Sequence, residues 1–294
     1  MFYKLLNAYS RQYSFPHRGL KYFLRIAKWL GIVDRTFKKK LPENFFMLLN
    51  PAEHIQQQLF WYGYYEKELG DLIKKVLRPG DVFLDIGANI GYFSLLVSNN
   101  VPNARVISFE PVQYLFQKLE ENISVNNIKN IMAIKAAAGE IDEEKEIFIS
   151  GSDNLGMSSF QQPENYSGKK EKVKVVRIDD WFHTSHLSKV DVIKLDVEGS
   201  ELAALKGMND ILTQFKPLLI IEINCETLSM FGLTPSNINN YLNQLNFDGF
   251  IILENARLAA LKENAKKQTT NVLFIHKDKK ELYGEYLIND HGNT

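Results

Sequence analysis

Residues 82–94 read Val-Phe-Leu-Asp-Ile-Gly-Ala-Asn-Ile-Gly-Tyr-Phe-Ser, and no other segment constrains the chain as strongly. An apolar run, Val82, Phe83 and Leu84, leads into a carboxylate at Asp85. Gly87 and Gly91 follow, and then apolar residues at helical spacing. The pattern predicts a buried strand, a tight turn and a helix start. Gly87 lets the backbone turn and approach a ligand with no Cβ in the way. A helix entering near Gly91 aims its first N–H groups at whatever lies over the turn. In an open α/β sheet that place is the crevice beyond the carboxyl ends of the strands.

Residues 105–111, Arg-Val-Ile-Ser-Phe-Glu-Pro, narrow the ligand. They predict a second strand ending in a carboxylate, Glu110, with Pro111 suited to a helix start. Glu110 lies one strand–helix–strand unit beyond Asp85, where an acid can accept both hydroxyls of a ribose. That suits NAD and S-adenosylmethionine alike, and the first turn separates them. A pyrophosphate cradle requires G-x-G-x-x-G. Here the turn has fewer glycines and a carboxylate at the strand tip, which suits a ligand with an ammonium group and no phosphates. The expected cofactor is therefore S-adenosyl-L-methionine, with an unliganded turn as the alternative. Its candidate contacts are Asp85, Gly87, Ala88, Asn89, Gly91, Glu110 and Pro111. Ala137, closing the third strand, and Asp196, closing the fourth, complete the set.

With these motifs the chain resembles the FkbM-type class I methyltransferases. The matching pieces are residues 85–91, Phe109-Glu110-Pro111, Arg177-Ile178-Asp179-Asp180 and the strand 219–223. The most specific piece is residues 193–201, Ile-Lys-Leu-Asp-Val-Glu-Gly-Ser-Glu. The resemblance implies a Rossmann-like sheet of seven mostly parallel strands with helices on both faces and a late hairpin. It also implies methyl transfer from S-adenosylmethionine, usually to a hydroxyl oxygen. Family acceptors are sugars, glycans and polyketide-like natural products.

Alternating periods independently predict a parallel sheet covered on both faces. Strands are expected at 82–86, 105–110, 131–137, 145–150, 172–178, 190–195, 218–223, 249–253 and 271–276. Helices are expected at 91–99, 112–126, 199–214 and 235–246. Residues 53–77 predict a helix broken near Gly63, and the aromatic cluster 61–66 suits either the core or the cofactor pocket. The polar stretch 150–170 reads as a mobile surface loop or a substrate lid. We divide the chain into a basic helical extension (1–60), the methyltransferase domain (61–280) and a charged tail (281–294), frayed after Lys277.

Net charge is zero, but it is unevenly spread. Residues 1–40 hold ten Lys/Arg against one acid. Segment 20–33 has the pattern of an amphipathic helix, packed on the domain or resting peripherally on an anionic membrane. Residues 35–42 read as a linker. No run is long and apolar enough for a transmembrane helix. The lone Cys225 cannot form an internal disulfide, which points to a reducing, cytoplasmic setting.

Methyl transfer to an alcohol requires alignment of the acceptor and removal of its proton. The candidates sit at the carboxyl ends of the central strands: Asp196, Glu198, Lys194 and Glu222. Asp196 is the first choice. Glu198 either faces the acceptor or favours the following helix start. Lys194 and Glu222, inside apolar strands, each require a partner. Family members often carry a histidine where this chain has Asn224, which cannot act as a general base. No metal site is expected, although three carboxylates would suit Mg²⁺ or Ca²⁺ if they converged. Neither the Pro-Pro motif of N-methylating DNA enzymes nor a Pro-Cys nucleophile is present, so nucleic acid is not an expected partner. The expected activity is O-methylation of a sugar hydroxyl on a glycan or glycosylated metabolite. An inactive cofactor-binding scaffold in a glycan-assembly complex, or an NAD-linked oxidoreductase, are the alternatives.

Overall fold

A computed structural model of the chain describes residues 35–151, 155–162, 164, 166–261 and 270–288. The expected amphipathic helix at 20–33 lies outside the described residues. The described chain opens with a hairpin, β1 (Phe37–Lys40) and β2 (Phe46–Leu49), where a linker was expected. Helices α1 (His54–Tyr62) and α2 (Lys67–Val76) follow, separated at Gly63 in a left-handed conformation.

The catalytic-type unit then runs β3 (Val82–Ile86), α3 (Tyr92–Asn100), β4 (Arg105–Phe109), α4 (Gln113–Val125) and β5 (Ile131–Ile134). Next come β6 (Ala137–Gly139), β7 (Glu143–Ser150), β8 (Tyr166–Arg177), α5 (Ile178–Thr184) and β9 (Val192–Leu195). The remainder is α6 (Glu201–Lys206), α7 (Asn209–Phe215), β10 (Leu218–Ile223), α8 (Cys225–Met230), α9 (Pro235–Gln244), β11 (Phe247–Ile252), β12 (Leu258–Ala260) and β13 (Thr270–His276).

The main sheet has eight strands in the order β12-β11-β13-β10-β9-β3-β4-β5. Strands β5, β4, β3, β9 and β10 run parallel, while β13 is antiparallel to β10 and pairs with β11 as the late hairpin. Strand β3 is buried throughout, as both faces of a parallel sheet require. Side-chain alternation splits the core in two. Phe83, Val106, Val192 and Ile220 join α2 and α3 on one face. Leu84, Ile107, Ile193 and Ile221 join α6, α7 and α9 on the other.

This alternation places the polar strand residues. Ser108, Asp85, Lys194, Glu222 and Asn271 share the parity of the first face, and they sit on five adjacent strands. Asp85 is in register with both Ser108 and Lys194, and Glu222 with Asn271. A polar row therefore crosses the sheet beneath its carboxyl ends.

Three departures from the sequence pattern have clear causes. The expected strand 131–137 divides after Ile134, and β6 joins a separate sheet of order β6-β8-β7. The expected helix 199–214 breaks into α6 and α7 at Gly207. A Cβ there would lie 1.9 Å from the Gly139 carbonyl oxygen, so the chain passes too closely for any side chain. The tail after Lys277 is expected to fray, but its described part, residues 278–288, begins in short helical turns, with Tyr283, Tyr286 and Leu287 packed on the first core. The hairpin contributes Met47 and Leu49 to that same core. No described helix is long and apolar enough to cross a membrane.

The Arg177–Asp180 motif has a structural task. Asp179 is fully buried and accepts hydrogen bonds from the backbone N–H groups of Asp210 (3.0 Å) and Ile211 (3.0 Å), capping α7. Arg177 donates to Asp179 (2.8 Å) and to Asp180 (2.8 Å). Asp179→Ala should lower stability by about 1–3 kcal/mol, by loss of the cap and of a buried partner. Urea denaturation measures this, and cofactor affinity should stay near wild type.

Candidate active site

A cleft of about 360 Å³ opens over the carboxyl ends of β3, β4, β9 and β10. Of the residues expected to hold the cofactor, Gly87, Asn89, Glu110, Pro111, Ala137 and Asp196 line it. Asp85, Ala88 and Gly91 do not, and each has a different structural place. Asp85 lies below the floor. Its Oδ2 accepts from the Ser94 hydroxyl, while its Oδ1 is buried with no hydrogen-bond partner. Burial raises its carboxyl above the ordinary range, and Lys194 opposes this.

The turn after β3 has little backbone left to offer a ligand. The N–H groups of Gly87 (3.0 Å) and Ala88 (2.9 Å) both donate to the Phe109 carbonyl. Gly87 has φ +80°, and a Cβ on it would meet the Asp196 carbonyl oxygen at 1.8 Å. The residue is glycine because two strand ends nearly touch there. At Gly91, a Cβ would lie 2.4 Å from Leu119 Cδ1, so this second glycine admits α4.

Glu110 is buried yet borders the cleft. It accepts from the N–H groups of Asn89 (2.9 Å) and Val112 (2.9 Å), which fix the carboxylate at the turn. Burial pushes its pKa up to about 7, against the lowering effect of those two donors. A carboxylate offers about four lone-pair directions, so two remain for a diol. Pro111, Val112, Leu115 and Ala136 make the adjoining wall apolar.

At the opposite side, one carboxylate oxygen each from Asp196, Glu198 and Glu222 lies within 4.8 Å of the others. Lys194, buried in β9, donates to Asp196 at 3.0 Å and lies 5.3 Å from the centre of the Phe93 ring. Burial disfavours its charge, but the carboxylates of Asp196, Asp85 and Glu66 outweigh that and keep it an ammonium. Burial would raise the Asp196 carboxyl too. The Lys194 ammonium and a hydrogen bond shared with Glu222 prevail and hold it below its ordinary range. Repulsion from Asp196, followed by burial, drives Glu222 up to about 11. Near neutral pH, Glu222 is thus a protonated donor to an ionised Asp196. Burial, then Asp196 and Glu201, raise Glu198 well above its ordinary value.

The helix-start role weighed for Glu198 falls to Glu201, which accepts from the Gly199 N–H (3.0 Å). Glu198, at φ +51°, turns back into the cleft. Asn224 also borders the cleft, but its Oδ1 caps α8 by accepting from Glu226 (3.0 Å) and Thr227 (3.4 Å).

Several lining residues carried weak sequence signals or none. Tyr65 comes from the aromatic cluster before β3, and the segment 156–160 comes from the polar loop. Within that segment, Ser159 donates to the Glu198 carbonyl (2.8 Å) and bridges in antiparallel fashion to Phe148. His54 and Ile55 reach the cleft from α1, which has no sequence mark of a site.

The profile of the "Methyltransferase FkbM domain" matches residues 85–248, more than half of the chain. The chain belongs to the FkbM methyltransferase family. As an FkbM-family methyltransferase it is an enzyme, and its cofactor is S-adenosylmethionine. The residues present fit that cofactor: Glu110 offers free lone pairs beside an apolar wall, and three carboxylates face the other end of the cleft. Among related chains is the AMB antimetabolite synthetase AmbE of Pseudomonas aeruginosa, 24% identical over 209 residues. That match covers 60% of this chain and 10% of the synthetase. The hexuronic acid methyltransferase AglP of Haloferax volcanii is 27% identical over 183 residues, covering 61% of this chain and 68% of AglP. A crystal structure of methyltransferase FkbM from Methylobacillus flagellatus KT aligns with a TM-score of 0.45 at 20% identity, over 68% of this chain and 44% of that one.

The charge balance of this FkbM-family site can be tested. Lys194→Met should leave buried carboxylates uncompensated and lower stability by about 3–5 kcal/mol, measured by denaturant unfolding. Glu110 gives a pH signature. Its raised pKa leaves it largely protonated below about pH 7, and a diol favours the carboxylate. Affinity for S-adenosylhomocysteine should therefore fall as pH drops through about 7. By calorimetry, Glu110→Gln should bind more weakly at neutral pH, by about 1.5–3 kcal/mol, and lose that pH dependence.

Proposed function

We propose that the protein is an O-methyltransferase acting on a sugar hydroxyl of a glycan or glycosylated metabolite. The observation that carries this reading is the cluster of Asp196, Glu198 and Glu222 within 4.8 Å, beside the Lys194 ammonium and in the same cleft as Glu110. Bound S-adenosylmethionine supplies an electrophilic methyl group on a sulfonium. Everything else falls to the chain. Glu110 holds the ribose hydroxyls. Asp196, ionised and fixed by Lys194 and Glu222, accepts a hydrogen bond from the acceptor hydroxyl and aligns its oxygen.

A carboxylate held at low pKa is a weak base for a neutral alcohol. It suffices here because the oxygen becomes strongly acidic as its new bond to carbon forms, so the proton can leave late. Glu198 and Glu222 supply further hydrogen bonds of the kind a polyhydroxylated acceptor uses. Support for a sugar comes from this density of polar groups and from the hexuronic acid specificity in AglP's name.

Asp196→Asn conserves volume and removes the charge. Turnover should fall by about 10²–10⁴-fold, while S-adenosylhomocysteine affinity changes far less. Incubation with labelled S-adenosylmethionine and host glycans, followed by mass spectrometry, should place the label on a sugar oxygen. A label only on nitrogen or carbon acceptors would refute the reading. Chelator treatment should leave the rate unchanged, since Lys194 already supplies a cation to Asp196.

A further inference from the structure

Next to the cleft lies a second groove of about 300 Å³, between the β6–β7 turn, the start of α6 and the loop after α8. Its lining is dominated by Ile141, Val175, Ala203, Phe231 and Leu233. Ile141 is an apolar side chain left 60% exposed. Two residues, Ala138 and Phe160, line both the groove and the cleft. The two cavities meet at Ala138 of β6 and at Phe160, whose neighbour Ser159 donates to the Glu198 carbonyl. On the floor, the Phe231 ring packs on Gly199, where a Cβ would meet it at 2.6 Å. That leads directly from Glu198 in the cleft to an aromatic surface in the groove.

The charged rim makes no demand on an occupant, because its members pair with their neighbours. Glu140 is 3.2 Å from Lys206, and Lys145 is 3.7 Å from Glu143 and lies 4.9 Å from the centre of the Phe160 ring. A purely polar glycan would gain little from such a lining, whereas each buried methylene is worth about 0.8 kcal/mol at most.

We propose that the acceptor is a glycoside with an uncharged, apolar aglycone. Its sugar enters the cleft, and the aglycone passes Phe160 into this groove. The inference rests on the sugar reading above and adds the chemistry of what the sugar is attached to.

The n-alkyl β-D-glucopyranosides test it, with methyl, butyl and octyl chains titrated into the full-length protein saturated with S-adenosylhomocysteine. Affinity should rise with chain length, by about tenfold or more from methyl to octyl. Ala203→Trp, which fills the groove, and Ile141→Asp, which charges its exposed edge, should each flatten the series. Unchanged S-adenosylhomocysteine affinity in both variants would show that the fold is intact. A flat series in the wild type overturns the groove assignment, as does a series unaffected by both variants. If Ala203→Trp instead dissociates a dimer and the series is flat, the groove is an interface between copies and the proposal fails. Labelled S-adenosylmethionine separates the two readings. Chain-length-dependent binding with no label on any sugar removes the sugar reading and keeps the groove. Label transfer without chain-length dependence does the reverse.

Discussion

The interaction on which the site depends is one buried ammonium among carboxylates. Lys194 sits in the middle of a parallel strand, in register with Asp85 on one side and bonded to Asp196 two residues on. Three more acids, Glu66, Glu198 and Glu222, lie close enough to feel the same field. With one cation and so many acids out of water, full ionisation is too costly. The protons are shared out by geometry: Asp196 keeps its charge because Lys194 touches it, and Glu222 keeps its proton because Asp196 repels a second charge. The donor–acceptor pattern offered to an acceptor follows from that division.

Close backbone approach is the second constraint. Gly87 and Gly207 stand where another carbonyl oxygen would lie under 2 Å from a Cβ. One brings the first turn against the end of β9, so that Glu110 and Asp196 share a single cleft. The other brings α6 against β6 and forces the helix to restart, with Asp179 capping the new start. The Glu110 end of the cleft and its scaffold are thus set by backbone contacts, which neither hydrophobic pattern nor helical period records.

The sequence was a good guide wherever a local pattern had a single physical solution. Apolar runs ending in acids mark β3, β4 and β9, and Lys194 was recognised as needing a partner because it interrupts such a run. It was a poor guide where the partner is distant. Residues 35–40 carry four cations and read as a linker, yet 37–40 pair with 46–49, and Lys39 is buried with its ammonium on the Phe60 carbonyl. The segment 156–160 looks like polar loop because its role depends on Glu198, some forty residues ahead in the chain. Gly87 lines the cleft as its place in the motif suggests, but the local pattern does not record that the Asp196 carbonyl oxygen also leaves no room there for a side chain.

What the sequence alone determined was the sheet with its two-sided burial, the acids at its strand ends and the class of cofactor they suit. Each follows from periodicity and residue chemistry over a few neighbouring positions. Tertiary structure decided the rest: that Asp196, Glu198 and Glu222 converge, that Asp85 lies beneath the cleft rather than in it, and that α1 and the polar loop complete its walls. The physical reason is that convergence, burial and proton sharing are properties of distances between remote parts of the chain, and those distances exist only once the strands have taken their order.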